Sequence, residues 1–477
     1  MKLQQAEVLS KNDIYLIHQA SADILENTGV AVFSRKMRDY FDQAGLRVDE
    51  ENRRVYIHRA ALEKALKTVP AHFSLYDISG EKQYVIGEGE PLYACGHNAV
   101  FILDMEKNLR RESTVEDVER FVKIAHALPD IDLVGLPLMP QDTPPASTLL
   151  HAARASFRFS SKPVFFSSES ARVNAAIFDM AESIIPHLRE KPFLVSQLSP
   201  TSPLFWEEGA AEALLEVCRR GIPLAVLPEP MAGVSAPYTL AGLLAVHNAE
   251  CLSGIVFSQL IQPGTPVVYA SSWTGYNMKR NSAVIGTAET DILRIAGAQM
   301  ARFYRLPSHT TAPNADSHFH DEQNAWERTL STFCSAMGGN HLIVNAGMFA
   351  TGLTVSLEQL VMDAEIIGMI RRLRQGMDVT EKTLNLEEIQ ATGPQGSYLM
   401  AESTLANLRS GEFYEPRLSV YDNYERCRAD SREDVLISAR EQVRRILATP
   451  PAWGISAHAE ERMASIIQDF EKDLPGS

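Results

Sequence analysis

Cysteine is scarce in this chain: Cys95, Cys218, Cys251, Cys334 and Cys427 are the only five in 477 residues, and none forms a paired spacing. A disulfide framework and a CxxC metal site are therefore excluded as organising features. The start, Met1-Lys2-Leu3-Gln4-Gln5, lacks the apolar core of a signal peptide, and no later run reads as able to span a bilayer. Positive charge is also short. The 45 Lys and Arg against 60 Asp and Glu leave a net charge of -15, which excludes a general nucleic-acid binder, because neutralising phosphates needs clustered bases. That balance suits a soluble protein and the steering of a cation or a basic partner. No internal repeat, low-complexity linker, Gly-rich phosphate loop or GxSxG elbow occurs, and Gly393-Pro394-Gln395-Gly396 reads as a turn. A cytoplasmic enzyme or binding protein is the default expectation.

What the chain does have is a series of short apolar runs that end in small, polar or aromatic residues. They are Leu92–Cys95, Ile131–Val134, Pro163–Phe166, Phe193–Val195, Pro223–Leu227, Pro266–Tyr269, Pro307–His309 and His341–Val344. Mostly helical-looking sequence separates them, and strands alternating with helices imply a parallel sheet. Eight of them predict an α/β fold of the (β/α)8 TIM-barrel type, with the active site at the carboxyl ends of the strands. An open doubly wound sheet would gather polar strand ends in the same way.

The remaining sequence frames that barrel. Residues 10–70 read as helical, with Ile14, Ile17, Ile24 and Leu25 on one face and stops at Asn27-Thr28-Gly29, Gly45 and Pro70. The expected division is an N-terminal helical cap over 1–90, the barrel over 91–350, and a C-terminal helical extension packed on the barrel over 351–477. A long helix is expected from Ser356 to Arg374, and two more flank Pro450-Pro451. Without a disordered linker, the parts should form one continuous body.

Several segments resemble the trimethylamine methyltransferase family. They are Ile17-His18-Gln19-Ala20-Ser21, Glu26-Asn27-Thr28-Gly29-Val30, Val100–Asp104, Leu128–Asp132, Ser199–Leu204, Pro263–Val267 and Gly352–Ser356. The resemblance covers most of the chain, and agreement in order and spacing is more specific than any one motif. It implies a (β/α)8 barrel that moves a methyl group from an amine to the cobalt of a separate corrinoid protein. Archaeal trimethylamine members carry pyrrolysine; many others lack it and act on quaternary amines such as glycine betaine. His318 stands where the resemblance places pyrrolysine, and a histidine cannot supply that residue's electrophilic imine. A quaternary ammonium needs no such activation, because its positive charge already makes a tertiary amine the leaving group. In many relatives the stretch before Gly352 holds a histidine and a tryptophan, whereas here it reads Val344-Asn345-Ala346-Gly347-Met348-Phe349. That departure leaves the substrate head group open.

A quaternary ammonium cannot be hydrogen-bonded, so its site calls for aromatic faces and a carboxylate. Tyr93, Phe205 beside Trp206, Trp273, Tyr276 and Phe349 stand at expected strand ends, although each equally suits packing between barrel and helices. Glu229 could face the cation, or form an ordinary ion pair. His97, His318, Asn314 or Asn345 could hold a substrate carboxylate, and a loop-bridging role suits His318 as well. Asp316-Ser317-His318 approaches the corrinoid-binding pattern Asp-x-His-x-x-Gly, but Asp321 stands where the glycine belongs. Corrinoid is thus expected on a partner protein and not as a tightly bound cofactor. His318-Phe319-His320 with Cys334 or Asp321 is a weak zinc signal, so no metal is assigned.

The leading expectation is a cytoplasmic methyltransferase that takes a methyl group from glycine betaine or a related quaternary amine. Proline betaine, carnitine, γ-butyrobetaine and choline are same-class alternatives. A non-catalytic betaine-binding or sensor protein is the alternative of another class. A homo-oligomer, no nucleic acid and no membrane complete the expected partners.

Overall fold

The computed structural model describes residues 5–429 and 434–474, so Met1–Gln4 of the expected leaderless start lie outside it. All eight apolar runs contain strands: β1 Leu92–Cys95, β2 Val134–Gly135, β3 Val164–Ser167, β4 Leu194–Leu198, β5 Leu224–Val226, β6 Val267–Ser271, β7 Ser308–Thr311 and β8 Leu342–Ala346. They lie side by side in chain order in one eight-stranded sheet, every pair parallel. A parallel bridge between Ala94 and Leu133, with the Cys95 amide donating to Leu133 O at 3.2 Å, joins β1 to β2. That contact closes the barrel, which an open doubly wound sheet would not do. The second strand sits slightly later than expected. Asp132 there donates its amide to Tyr93 O at 2.7 Å, but the Tyr93 amide goes to the Asp132 carboxylate at 2.8 Å in place of a backbone carbonyl, and that carboxylate also pairs with Arg371.

Eight helices follow the strands: α1 Val115–Ala127, α2 Thr148–Phe159, α3 Ala171–Glu182, α4 Glu208–Arg220, α5 Leu240–Ile261, α6 Ala288–Tyr304, α7 Glu322–Gly338 and α8 Leu357–Gln375. Their starts are written in the sequence. Thr114 with Asp117 forms a capping box on α1, and Thr287 with Thr290 does so on α6. Helix α5 departs from the expectation that no run could span a bilayer, since its length and composition would suffice. Here it carries His247, Asn248 and Glu250, all buried, and packs against the N-terminal helix Lys11–Asp23 and its neighbours in the ring.

Alternate residues of the strands point inward. Ala94, Leu133, Phe165, Val195, Ala225, Leu227, Val268, Ala270, Leu342 and Val344 form one interior cluster, joined by Phe73, Leu75, Tyr84 and Ile86. Those last four belong to a hairpin, Phe73–Tyr76 with Gln83–Ile86. Its Tyr76 and Ile78 amides donate to Pro192 O and Ser161 O, just ahead of β4 and β3. The hairpin therefore plugs the amino end of the barrel, and the carboxyl end is left as the way in.

The N-terminal region holds the expected helices at Lys11–Asp23, Arg35–Gln43 and Arg59–Leu66. It also holds a small sheet that the helical reading missed: Val30–Val32, Arg47–Asp49 and Arg54–Tyr56, with Phe205–Trp206 from the loop after β4 adding a fourth, parallel strand. Strands of two or three residues are too short to display an alternating pattern. At the other end, Val435–Ala448 packs on α8 and α1, and Ala457–Lys472 on α2 and α3. Between α8 and Val435, the short helices Glu381–Leu384, Leu386–Thr392 and Glu402–Asn407 contain no buried residue.

Candidate active site

The strand alternation that fills the barrel with Ala, Val and Leu turns polar at its carboxyl end. Phe165 lies in the interior cluster, and two histidines pack against it. Its ring stacks on His309 with centroids 5.1 Å apart and planes within 3°, and sits 5.4 Å from His97. Burial holds the His97 imidazole down to about 4, and burial together with the neighbouring His97 holds His309 down to about 3. Both are therefore neutral at physiological pH, each able to donate from one nitrogen and accept at the other. Neither ring nitrogen of His309 has a protein partner, and the same holds for Nδ1 of His97, Oε1 of Gln197 and Oδ1 of Asn98. His309 is only 1% exposed and Gln197 5%. Buried polar atoms are rarely left unpaired without a functional reason, and these belong to residues on the inner side of the barrel or at its first loop.

Above this polar floor stand two carboxylates. Glu169 follows β3 and accepts the Ser199 amide at 3.2 Å, and Glu229 follows β5 beside the Ser272 hydroxyl. Both are reached by water, yet protein crowds them enough to raise their pKa values. Both continue the inward alternation of their strands, from Phe165 to Glu169 and from Leu227 to Glu229, which sets them over the open end of the barrel and makes that end a recess. Burial pushes Glu169 up to about 7, with the nearby Glu229 adding to the rise and the Ser199 amide opposing it. Glu229 is raised by burial, against the Ser272 hydrogen bond.

The structure brings only some of the expected residues together here. His97 and Glu229 are in the recess. Asn314 and Asn345 meet near its rim, Asn345 Nδ2 donating to Asn314 Oδ1 at 2.8 Å, while Asn314 spends its own amide on Thr311. Asn345 holds φ +148° where the β8–β1 register shifts, a strained conformation for a residue with a side chain. His318 is exposed on the loop after β7. Its neighbours in the weak zinc pattern have other tasks: His320 meets the Ser356 hydroxyl at 3.1 Å, and Asp321 caps α7.

The aromatic expectations are corrected. Trp273 is fully buried in the outer core, its ring 4.2 Å from His247, because it continues the outward side of β6. Tyr93 likewise faces outward from β1, buried under the Arg371 guanidinium. Phe205 stacks on Phe33 at 5.3 Å within the N-terminal sheet, and Trp206 beside it is buried with its indole donating to Ser253. Phe349 is buried in a small cluster with Leu103 and Ala350. Tyr276 stands half-buried on the hairpin Gly275–Asn277 with Ser282–Val284, its hydroxyl on Asn281. None of the six forms a cage around the recess.

Sequence reasoning missed Glu169, His309, Phe165, Gln197 and Asn98. A signal for His309 existed, since a histidine inside a buried strand of a barrel must face either the helices or the interior.

Barrel enzymes do their chemistry at this end of the sheet, and a recess rimmed by carboxylates suits a small organic cation better than a phosphate. The comparisons agree with that class. The trimethylamine methyltransferase family model matches residues 1–475, and this chain belongs to that family. It is 33% identical over 404 residues to a trimethylamine methyltransferase of Desulfitobacterium hafniense strain DSM 10664 / DCB-2, covering 84% of this chain and 82% of that one. It is 32% identical over 486 residues to a glycine betaine methyltransferase of Desulfitobacterium hafniense strain Y51, covering 99% and 98%. In fold it is similar to the monomethylamine methyltransferase of Methanosarcina barkeri, with TM-score 0.50 and 13% identity over 99% of this chain and 96% of that one.

Proposed function

We propose that this protein transfers a methyl group from a quaternary amine, glycine betaine or a relative of similar size, to the cobalt(I) of a separate corrinoid protein. The observation that carries this reading is a solvent-exposed carboxylate pair at the carboxyl end of a barrel closed at its other end, in a chain that aligns along its length with a glycine betaine methyltransferase. The methyl leaves nitrogen without its bonding pair, and cobalt(I) supplies two electrons to form methyl-cobalt(III). Nitrogen keeps its pair and departs as a neutral tertiary amine, so no proton has to move. The work left to the protein is positioning and desolvation.

This chain's residues suit that division of labour. Glu169 and Glu229 would hold the ammonium near the mouth, where a methyl can point outward to cobalt. His97, His309 and Gln197 would meet the polar end of the substrate below it. His318, on the loop after β7, would approach from the mouth side. A sensor needs no opening through which cobalt can enter, so the reachable carboxylates favour the enzyme. Cobalt(I) demands a reducing compartment, and five free cysteines fit a cytoplasmic location. A homo-oligomer would cover Leu399, Met400, Leu408 and Phe413, each at least 73% exposed in the segment after α8.

The test is to mix the purified protein with glycine betaine or choline and chemically reduced cobalamin, then follow loss of cobalt(I) absorbance and appearance of methylcobalamin. Methylcobalamin should form with a quaternary amine and not with trimethylamine. Turnover of trimethylamine, or none with any quaternary amine, would sink the reading.

A further inference from the structure

Resting on the proposed quaternary-amine reading, we propose that Glu169 and Glu229 are specificity-determining residues that select amines of net positive charge, such as choline, over zwitterionic betaines. Of the eight loops that leave the carboxyl ends of the strands, those after β2, β3, β4, β5, β7 and β8 contain no lysine or arginine. The loop after β1 carries its cations on the hairpin Phe101–Asp104 with Leu109–Glu112. There Arg110 lies over the Phe101 ring at 4.4 Å, and Arg111 is paired with Asp104 and Asp117. Lys107 is exposed at that hairpin's turn. The loop after β6 carries Lys279 and Arg280 at an exposed turn, beyond the Gly275–Asn277 and Ser282–Val284 strands.

Two further guanidiniums lie behind the wall, both buried and both committed. Arg294 donates to Asp291, Thr311 O and Ile285 O, and Arg328 to Asp363 and Met348 O. Among the described residues, the recess itself thus presents two carboxylates and two neutral histidines, and no fixed cation. Above pH 7, where Glu169 is mostly ionised, a betaine carboxylate placed there would meet like charge above and only neutral donors below. The hydroxyl of choline meets neither objection, since neutral His309 and Gln197 can pair with a hydroxyl without any change of protonation.

The second observation is the floor itself. His309 and Gln197 are buried and leave ring and amide atoms without protein partners. An uncharged polar group is the partner that such a floor accepts at least cost. A zwitterion also gains less from the carboxylates, because its own anion lies within a few ångströms of its ammonium and offsets the attraction. An opposite charge within about 4–6 Å shifts an ionisation equilibrium by roughly 1–3 pH units. By linkage, the same coupling changes cation affinity by at least about tenfold.

The experiment is calorimetric titration of the full chain with choline and with glycine betaine, for the unmodified protein, Glu169→Gln, Glu229→Gln and the double variant. Choline should bind at least about tenfold tighter than glycine betaine. Each single variant should narrow that ratio, and the double variant should abolish it, with melting curves showing that all four proteins are folded. Equal or tighter binding of glycine betaine to the unmodified protein overturns the inference, and so does a ratio that the substitutions leave unchanged. If the folded protein binds and demethylates glycine betaine preferentially, only the charge argument falls. If it binds and demethylates neither, the proposed function falls with it.

Discussion

Trp273 separates a pocket residue from a wall residue, and the structure makes the difference measurable. The indole is fully buried, 4.2 Å from His247, and a Cβ added at Gly297 on α6 would come within 2.8 Å of its Cζ2. Trp273→Ala should therefore cost about 3–5 kcal/mol of fold stability, the usual range for removing a large aromatic from a core. It should leave the ligand affinity of the folded protein within about twofold, because no ligand contact is lost. Gly297 supplies the internal control. In the unmodified protein, Gly297→Ala presses a methyl on a ring that cannot retreat, an overpacking cost of about 1–3 kcal/mol. Against that stands a helix-propensity gain of at most about 1 kcal/mol. Once the ring is gone, only the gain remains, so Gly297→Ala should destabilise the unmodified protein and stabilise Trp273→Ala. Urea midpoints of the four proteins by far-ultraviolet dichroism, with calorimetry for the ligand, give the full cycle. A Trp273→Ala protein that melts normally but loses ligand affinity would refute the reasoning and return the indole to the pocket.

Three further outcomes follow from the same geometry. Because burial raises Glu169 from 4.5 to about 7, the native state binds more protons than the unfolded state between those values, and its stability falls as pH rises through that window. Glu169→Gln should melt increasingly above the unmodified protein from pH 5 to pH 8, where the cost is fully present; a constant difference would mean that Glu169 is not desolvated. Arg328 and Asp363 are both fully buried and paired, with Asp363 also accepting the Gly347 amide; Arg328→Met should cost about 3–5 kcal/mol by leaving a charge unpaired, and Arg328→Met with Asp363→Asn should recover part of that in denaturant titrations. Gly135 lies at the seam of the barrel, where an added Cβ would stand 2.4 Å from Gly96 O; Gly135→Ala sets atom against backbone and should abolish soluble expression, while Gly286→Ala, whose nearest neighbour is the Glu327 side chain, should fold at the cost of displacing that carboxylate from the Asp316 amide.

Most of the strands were legible because their runs are apolar on both faces, the pattern of a parallel sheet covered inside and out, whereas Ser308–Thr311 carries polar residues throughout and was legible by its place between two helical segments. The hairpin Phe73–Tyr76 with Gln83–Ile86 and the small N-terminal sheet were not, because strands this short carry no period that a helix segment could not also show. What makes them strands is tertiary: the hairpin fills the barrel floor, and Phe205–Trp206 docks on Val30–Val32 from a loop far along the chain. Glu229 and His97 were legible as polar residues after strands. Glu169 had the same credentials, in the run Ser167-Ser168-Glu169, but nothing in the sequence said that the tops of β3 and β5 converge on one recess.

The aromatic residues show where strand-end reasoning goes astray. A strand end names a place along the barrel, not a side of it, and side chains alternate between the interior and the helices. Ala94 and Ala270 face inward, so Tyr93 and the outward residues of β6, continued by Trp273, lie under the helix layer. Space gives the physical reason. An eight-stranded barrel is just wide enough for side chains to fill, and this one already holds Phe165 with two histidines packed against it. Further large rings cannot enter without displacing them, whereas alanine, serine and glutamine leave room for a guest. The carboxylates of Glu169 and Glu229, carried beyond the strand ends, can reach over that room without filling it. A cation in such a recess is therefore held by charge at its rim more than by aromatic faces around it.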